Sequence, residues 1–189
     1  MSSFFIHPTS IVDDNVEIGE GTKIWHFSHV QSGAKIGKNC SFGQNVNVSN
    51  NVKVGNGVKV QNNVSIYEGV ELEDYVFCGP SCVFTNDLTP RARYPKGYVG
   101  YKYTLIKHDA TLGANCTIVC GNTVGEYATI AAGAVITKSV VPYALMAGVP
   151  AKRIGWVCEC GQVLNNDLKC PDCRREYEVY NNFLTRISR

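Results

Sequence analysis

The stretch "VQSGAKIGKNCSFGQNVNVSNNVKVGNGVKV", residues 30–60, places an apolar residue at every sixth position. The same repeat runs over fourteen consecutive positions from Ile6 to Phe84, and it resumes in a shifted frame from Ile106 to Ile136. A period of six does not fit a helix, which has about 3.6 residues per turn, and it fits a strand meander poorly. It fits short strands that each turn a corner, so that three hexads complete one triangular coil.

The repeat therefore predicts an all-β protein, a parallel β-helix of about seven triangular coils built from twenty hexads. We expect the β-helix to occupy residues 1–141, with one extended loop at 88–105 where the repeat breaks. An exit segment, 142–157, then leads to a short cysteine-containing tail, 158–189.

Composition and charge exclude several classes of protein. The chain has 189 residues and a formal net charge of +2, too mild to argue for a nucleic-acid partner. No apolar run approaches the roughly 18 residues that span a bilayer, and the N-terminus does not resemble a signal peptide. We therefore expect a cytoplasmic protein without a membrane segment, whose thiols are reduced.

The nine cysteines fall into two groups by position. Four lie in the tail. The other five lie inside the hexads, where small buried side chains are expected: Cys40, Cys78, Cys82, Cys116 and Cys120.

Residues eighteen apart lie one above another if three hexads make a coil. Asn86 then stacks on Glu68, which stacks on Asn50. In the adjacent column, Thr85 stacks on Tyr67, and Gln31 lies two coils below Tyr67. These columns are either an ordinary solvated corner or one side of a binding site. The long loop that departs beside them favours a binding site, since function concentrates in loops on rigid scaffolds.

The loop has an unusual composition. From Leu88 to Lys107 it contains no acidic residue, but it carries cations, including Arg91 and Arg93, interleaved with tyrosines. Cations mixed with flat rings suit an anionic ligand with a stackable base, such as a nucleotide diphosphate. The alternative is a structural loop whose tyrosines pack on a neighbouring subunit.

Two stretches, "IWHFSHVQSGAKIGKNCSFGQNVNV" and "VKVQNNVSIYEGVELEDYVFCGPSCVFTNDLTPR", resemble the left-handed β-helix acyltransferases, over about residues 5 to 156. The combination "YEG…FCGPS…FTND…PR" is similar to bacterial N-acetyltransferases that act on nucleotide-linked 3-amino sugars. The most similar subfamily acts on UDP-2-acetamido-3-amino-2,3-dideoxy-glucuronate, an O-antigen precursor of lipopolysaccharide biosynthesis. A dTDP-linked 3-amino-3,6-dideoxyhexose is the alternative substrate. The resemblance implies that Glu68, Asn86 and Asp87 contact the sugar amine.

The same resemblance implies a left-handed parallel β-helix that forms a homotrimer, with active sites between subunits and acetyl-CoA as donor. The segment "TIAAGAVITKSVVPYALMAGVPAKRIG" is similar to the final coils of the family. Small side chains at Ala131 and Ala132 would let the pantetheine arm run along the backbone. Lys138, Lys152 and Arg153 would meet the phosphates of CoA, unless they form an ordinary solvated surface.

A general base for the reaction is not evident from the sequence. His108 follows an inward-facing residue after the loop and would reach the site if the loop returns there. The aminosugar subfamily that the chain resembles relies instead on positioning a neutral amine. Our hypothesis is that Glu68 and Asn86 orient the amine and that Asp87 assists. Backbone amides would polarise the thioester, and the leaving thiolate would take the proton.

The tail carries Cys158-x-Cys160 and Cys170-x-x-Cys173, with nine residues between the pairs. Gly161 and Pro171 supply tight turns beside them. Four thiolates at such spacing suit a structural tetrahedral zinc, which has no open coordination position. The first pair is tighter than the usual C-x-x-C, so reduced free thiols are the alternative.

Two other functions are possible on such a scaffold. A γ-type carbonic anhydrase needs three histidines around zinc, whereas the only close pair here, His26 and His29, lies along one strand. A non-catalytic β-helix, such as an ice-binding or scaffold protein, would present a flat repeated array of threonines. The outward columns here are mixed, which argues against it.

Overall fold

The computed structural model describes residues 4–187, so the ends of the predicted β-helix (1–3) and of the tail (188–189) lie outside the described residues. It confirms the all-β parallel β-helix. Twenty short strands, β1 to β20, wind around three faces, and a later strand, β21, extends one of them. The first face has eight parallel strands, the second seven and the third six, close to the predicted seven coils.

The strands, in chain order, are β1 Phe5–Ile6, β2 Ile11–Val12, β3 Glu17–Ile18, β4 Lys23–Ile24, β5 His29–Val30, β6 Lys35–Ile36, β7 Ser41–Phe42, β8 Asn47–Val48, β9 Lys53–Val54, β10 Lys59–Val60, β11 Ser65–Ile66, β12 Val70–Leu72, β13 Phe77–Cys78, β14 Val83–Phe84, β15 Thr104–Ile106, β16 Thr111–Leu112, β17 Thr117–Ile118, β18 Thr123–Val124, β19 Thr129–Ile130, β20 Val135–Ile136, β21 Ala144–Gly148, β22 Ala151–Trp156, β23 Tyr177–Tyr180 and β24 Phe183–Arg186. One 3-10 turn, Tyr98–Gly100, lies in the loop.

The hexad repeat forms the core because each two-residue strand points one side chain out and one in. The inward residues stack along the axis of the β-helix; Phe42, Ile66, Phe84 and Ile118 are among the largest fully buried side chains. Burying each such side chain stabilises the fold by about 1.5–3 kcal/mol. The five cysteines of the hexads are buried as expected.

Each coil has three corners, which we name by a residue at each. The loop corner follows the second face and contains residues 67–69 and 85–87. The His108 corner follows the third face and contains residues 73–75 and 107–109. The Ala132 corner follows the first face and contains residues 131–133. Residues at the corners often have a positive φ, as Asn51 does at +59°. Asparagine tolerates this left-handed conformation better than most residues.

The extended loop leaves the β-helix after β14 and returns at β15. Below it, paired residues are eighteen apart, as for Ser65 and Val83. Across it, Val83 pairs with Thr117, in parallel and in register. The loop is therefore an insertion at one corner that leaves the stacking of the coils intact.

The predicted exit segment continues the first face. Strand β21 pairs in parallel with β19, and β22 folds back on β21 as an antiparallel hairpin. Beyond it, the tail has a small core of its own, formed by Cys158, Leu164, Cys170, Tyr177 and Leu184.

Candidate active site

Glu68 and Asn86 occupy the same column of the loop corner, because the register of β11 and β14 places residues eighteen apart one above another. Both residues are partly buried. The Asn51 side chain in the coil below donates its Nδ2 hydrogen to Glu68 Oε1 at 3.1 Å. This bond orients the Glu68 carboxylate. The predicted stacking of Asn86 on Glu68 is therefore present, and Asn51 additionally holds the Glu68 side chain in place.

Asp87 holds the start of the loop. Its Oδ1 accepts hydrogen bonds from Lys96 Nζ at 2.8 Å and from the Thr89 amide at 2.8 Å. Lys96 also bonds the Thr89 carbonyl at 3.0 Å, and only 13% of the Asp87 side chain is exposed. The hydrogen bond from Lys96 is the main cause that lowers the pKa of Asp87, with the Thr89 amide next. Asp87 is therefore ionised and already paired.

Lys96 is one of the loop cations that suit an anionic ligand, but its contact with Asp87 could not be predicted from the sequence. Nine residues separate it from Asp87, and no periodicity relates the two positions in an irregular loop. The one available signal was charge. Asp87 is the last acidic residue before a segment, 88–107, in which every charged residue is a cation.

Two contacts close the loop onto the β-helix. The Lys102 amide donates to the Asn86 carbonyl at 2.9 Å, and Tyr103 Oη donates to Glu71 Oε2 at 2.8 Å. Burial, followed by the bond to Glu71, raises the pKa of Tyr103 to about 12, so its phenol stays protonated. The two ends of the loop therefore meet at the loop corner, beside Asn86.

The other predicted substrate contacts are divided between structural and exposed positions. Thr85 Oγ1 accepts the Cys120 amide at 2.9 Å and Gln31 donates to Asn47 Oδ1 at 3.1 Å, so both support the coils. Four residues are exposed at the loop corner or on the loop: Asn50, Tyr67, Arg91 and Arg93.

His108 lies at a different corner from Glu68 and Asn86. Asp74 and His108 are equivalent positions in successive coils, because Leu72 pairs with Ile106. The His108 amide donates to Glu73 Oε2 at 2.9 Å, and its ring Nδ1 lies 3.0 Å from Asp109 Oδ2. The loop therefore does not return His108 to the loop corner of the same chain.

A groove of about 770 Å³ runs along the third face and ends at His108. Its lining includes Gly37 and Gly55, as well as Glu73 and Asp74 beside the histidine. The groove does not include the loop corner, so it is a separate feature of the isolated chain.

The predicted acetyl-CoA contacts are spread over the upper coils. Ala131 and Ala132 lie at the Ala132 corner, whereas Lys138 lies at the loop corner, in the column of Asn86 and Cys120. Lys152 and Arg153 lie on β22 and are exposed. Because β22 pairs with β21 and β21 pairs with β19, Lys152 and Arg153 lie two strands away from Ala131 in the same chain, whereas Lys138 is at a different corner.

Two of the backbone amides that could polarise a thioester are already bonded. The Ala131 amide donates to the Met146 carbonyl at 2.8 Å, and the Gly133 amide donates to the Ala114 carbonyl at 2.8 Å. These two amides therefore hold the last coils together and do not stabilise an oxyanion.

The four tail cysteines form one cluster, with all four Sγ atoms within 4.8 Å of one another. Cys158 and Cys170 are buried, while Cys160 and Cys173 are exposed. The sulfurs of Cys158 and Cys173 are 3.4 Å apart and those of Cys160 and Cys170 are 3.5 Å apart, well beyond the length of a disulfide.

Within residues 4–187, no helix has both the length and the apolar character that a membrane crossing requires.

Known families and proteins resemble this chain at the level of the repeat and of the whole sequence. Residues 15–50 match the bacterial transferase hexapeptide family (six repeats). Residues 33–68 and 105–138 match the hexapeptide repeat of succinyl-transferase. A dTDP-3-amino-3,6-dideoxy-alpha-D-galactopyranose 3-N-acetyltransferase from Aneurinibacillus thermoaerophilus is 41% identical over 186 residues, which cover 97% of this chain and 95% of that protein.

Solved structures share the fold at lower identity. A GDP-perosamine N-acetyltransferase variant from Caulobacter crescentus, in complex with CoA and GDP-perosamine, has a TM-score of 0.53 at 20% identity and covers 79% of this chain. The acetyltransferase domain of PglB from Neisseria gonorrhoeae, in complex with acetyl coenzyme A, has a TM-score of 0.53 at 22% identity and covers 80%. This chain spans 55% and 58% of those two proteins, respectively. The chain belongs to the hexapeptide-repeat transferase family and, as the sequence predicts, is an acyltransferase.

Proposed function

We propose that this protein transfers the acetyl group of acetyl-CoA to the 3-amino group of a nucleotide-linked amino sugar. The observation that carries the proposal is the loop corner, where Glu68 and Asn86 stack beside Asp87 under a cationic, tyrosine-rich loop. Near full-length similarity to a nucleotide-sugar 3-N-acetyltransferase supports the same chemistry.

We infer that the substrate is a dTDP-linked 3-amino-3,6-dideoxyhexose. The relative at 41% identity acts on such a sugar, so it favours this alternative over the UDP-linked glucuronate. The glucuronate stays a second candidate because Arg91 and Arg93 are exposed on the loop, where either guanidinium would pair with a hexuronate carboxylate.

In the proposed reaction, Glu68 and Asn86 orient the neutral amine for attack on the thioester carbonyl. The nitrogen–carbon bond forms, the carbon–sulfur bond breaks, and the proton of the amine passes to the leaving thiolate. Asp87 does not act as the base, because Lys96 lowers its pKa, which makes the carboxylate a weaker base, and already occupies its Oδ1. Its role is to fix the first turn of the loop over the amine.

The active site lies between neighbouring chains of a homotrimer. The proposed amine contacts are at the loop corner, whereas Ala131 and Ala132 are at the Ala132 corner and Arg153 is on β22. In one chain these two corners face different directions. A site between chains would bring the loop corner of one chain next to the Ala132 corner of its neighbour. Co-purified mixed oligomers of Glu68→Gln and Arg153→Ala chains, each impaired alone, would then recover part of the activity.

The tail is proposed to hold a structural zinc. A tetrahedral zinc has Zn–S bonds of about 2.3 Å, which place its sulfurs about 3.8 Å apart. The sulfurs of Cys158, Cys160, Cys170 and Cys173 all lie within 4.8 Å of one another, with two pairs at 3.4 and 3.5 Å, and four thiolates are a donor set that zinc prefers. When bound, the ion would supply folding energy and no catalytic position. Metal analysis of protein purified without chelators tests this, and protein without zinc would overturn it.

The function itself is tested with a panel of UDP- and dTDP-linked 3-amino sugars incubated with acetyl-CoA. We expect the dTDP-linked 3-amino-3,6-dideoxyhexose to gain one acetyl group by mass spectrometry at the highest kcat/KM. Faster acetylation of the UDP-linked glucuronate would show that this second candidate is the substrate.

A further inference from the structure

Trp156 belongs to two cores at once. It packs against the core of the β-helix and also against the small core of the tail, which contains Cys158 and Cys170. The Trp156 carbonyl accepts the Leu164 amide at 2.9 Å, which joins the end of β22 to the tail. A change in the packing of the tail must therefore change the surroundings of the Trp156 side chain.

Arg153 rests on this tryptophan. Its guanidinium carbon lies 4.1 Å from the centre of the Trp156 ring, and its Nη1 donates to the Asn182 carbonyl of the tail at 3.4 Å. Stacking fixes the plane of a guanidinium and leaves its edge hydrogens available to a phosphate. The Arg153 side chain is thus held on one side by β22 and on the other by the tail.

A second contact joins the cysteine cluster to the β-helix. Tyr177 Oη lies 3.1 Å from Cys158 Sγ and accepts the Glu159 amide at 3.2 Å. The Tyr177 ring packs on Tyr143 at 5.9 Å between centroids, and Tyr143 stacks on Tyr127 at 5.0 Å. These rings connect the cysteines to the last coils at the His108 corner.

The tail core has too few residues to be stable alone. Five buried side chains form it, and cores of that size are ordinarily stabilised by a metal or disulfides. Metal binding to a cluster of this kind contributes directly to the free energy of folding. Without the metal, the tail would therefore lose its packing on Trp156, and Arg153 would lose its contact with Asn182.

We propose that metal binding by the four cysteines docks the tail on the end of the β-helix and thereby positions Arg153, through Trp156, for a phosphate of CoA. Trp156 and the cysteine cluster are positioning groups, remote from the reacting atoms. The inference rests on the proposed use of acetyl-CoA, but the docking itself needs no substrate to be observed.

The test uses Trp156 as a reporter. The chain has two tryptophans, so Trp25→Phe leaves Trp156 as the only one. In this background, the full-length protein is treated with a zinc chelator, and Cys170→Ser is compared with Cys82→Ala, a buried cysteine of the β-helix. Zinc per chain, the emission maximum of Trp156 and the KM for acetyl-CoA are measured on each.

We expect chelation and Cys170→Ser to remove the metal, shift Trp156 emission to longer wavelength and raise the KM for acetyl-CoA about tenfold. The kcat and the KM for the sugar should be unchanged, and added zinc should restore the chelated protein but not Cys170→Ser. Cys82→Ala should retain the metal and the emission. Loss of metal that leaves both Trp156 emission and the KM for acetyl-CoA unchanged overturns the proposal, as does a metal-free protein as purified.

Two outcomes separate this inference from the proposed function. If no sugar is acetylated, the metal-dependent emission shift and direct binding of CoA still test the docking. If the emission shifts but CoA binds equally well with and without metal, docking does not position Arg153 and the inference is wrong, while the proposed function is untouched.

Discussion

Lys96 Nζ lies 2.8 Å from Asp87 Oδ1, so a cation from the middle of the loop is bound to the carboxylate at its start. The same ammonium bonds the carbonyl of Thr89. The loop is thereby folded back on itself over the loop corner. An acid that the sequence suggests as a catalytic group therefore acts first as an anchor of the loop.

Lys96→Met should weaken substrate binding more than turnover. The variant keeps the length of the side chain but removes the ammonium, so the loop loses its bonds to Asp87 and Thr89. We expect the KM for the nucleotide sugar to rise about tenfold with a kcat within about threefold of the wild type. Lys59→Met, at an exposed position on the first face, is the matched control. An unchanged KM would show that the loop does not need this ion pair.

The start of the loop should stay ordered at a lower pH than it would if the pKa of Asp87 had its ordinary value. Lys96 lowers the pKa of Asp87 below its ordinary value of 3.8. A lowered pKa contributes stability that is present above the ordinary value and is lost as the pH falls through the lowered one. Hydrogen exchange at the Thr89 amide, corrected for the intrinsic rate, should therefore stay protected down to about pH 4 and increase below it.

Two comparisons control the exchange experiment. Amides of β11 in the same sample report whether the β-helix itself is intact. In Lys96→Met the protection at Thr89 should be weak at every pH. Equal protection in the variant and the wild type would contradict the role of Lys96.

His108→Ala should retain near-normal turnover. His108 lies at a different corner from Glu68 and Asn86, and its ring is engaged by Asp109. A positioned neutral amine needs no base from this residue. We expect kcat within about threefold of the wild type, because general bases contribute about 10²–10⁴-fold. A loss of several hundredfold would instead make His108 the base, supplied across the interface between chains.

Gly37→Ala should destabilise the β-helix. A Cβ atom there would lie 2.5 Å from the Gly55 carbonyl oxygen and 2.8 Å from the Asn56 nitrogen, both of which are backbone atoms that cannot move aside. We expect a loss of about 2–4 kcal/mol, measured by denaturant unfolding. Gly155→Ala is the control, since its Cβ would meet only Leu145 Cδ2 at 3.9 Å. Equal stability of the two variants would show that the coils can separate to admit the methyl group.

The sequence predicted the fold well because the repeat determines both the inward residues and the register. The stacking of Glu68 under Asn86 follows from the period alone, and Ser65 pairs with Val83 as it requires. The same six-residue period places Asp74 and His108 at one corner, once the number of residues in the inserted loop is known. That length is not periodic, which is why the position of His108 was open.

Contacts inside irregular segments were not predictable in this way. Lys96 reaches Asp87 within a loop that has no repeat, and Arg153 reaches Trp156 and Asn182 through the fold of the hairpin and the tail. Spacing predicted that the four cysteines would cluster, since paired cysteines near tight turns converge. It did not predict that the tail packs on the same tryptophan as the β-helix.

The most direct test of the central claim measures acetyl transfer to a dTDP-linked 3-amino-3,6-dideoxyhexose by the wild type and by Glu68→Gln, with Glu20→Gln as an exposed control. We predict that the wild type and Glu20→Gln add one acetyl group to the 3-amino nitrogen. Glu68→Gln, which keeps its shape but loses the charge that orients the amine, should be about 10- to 100-fold slower in kcat. A wild type that acetylates no 3-amino sugar nucleotide, or a Glu68→Gln variant as fast as the wild type, would contradict the account.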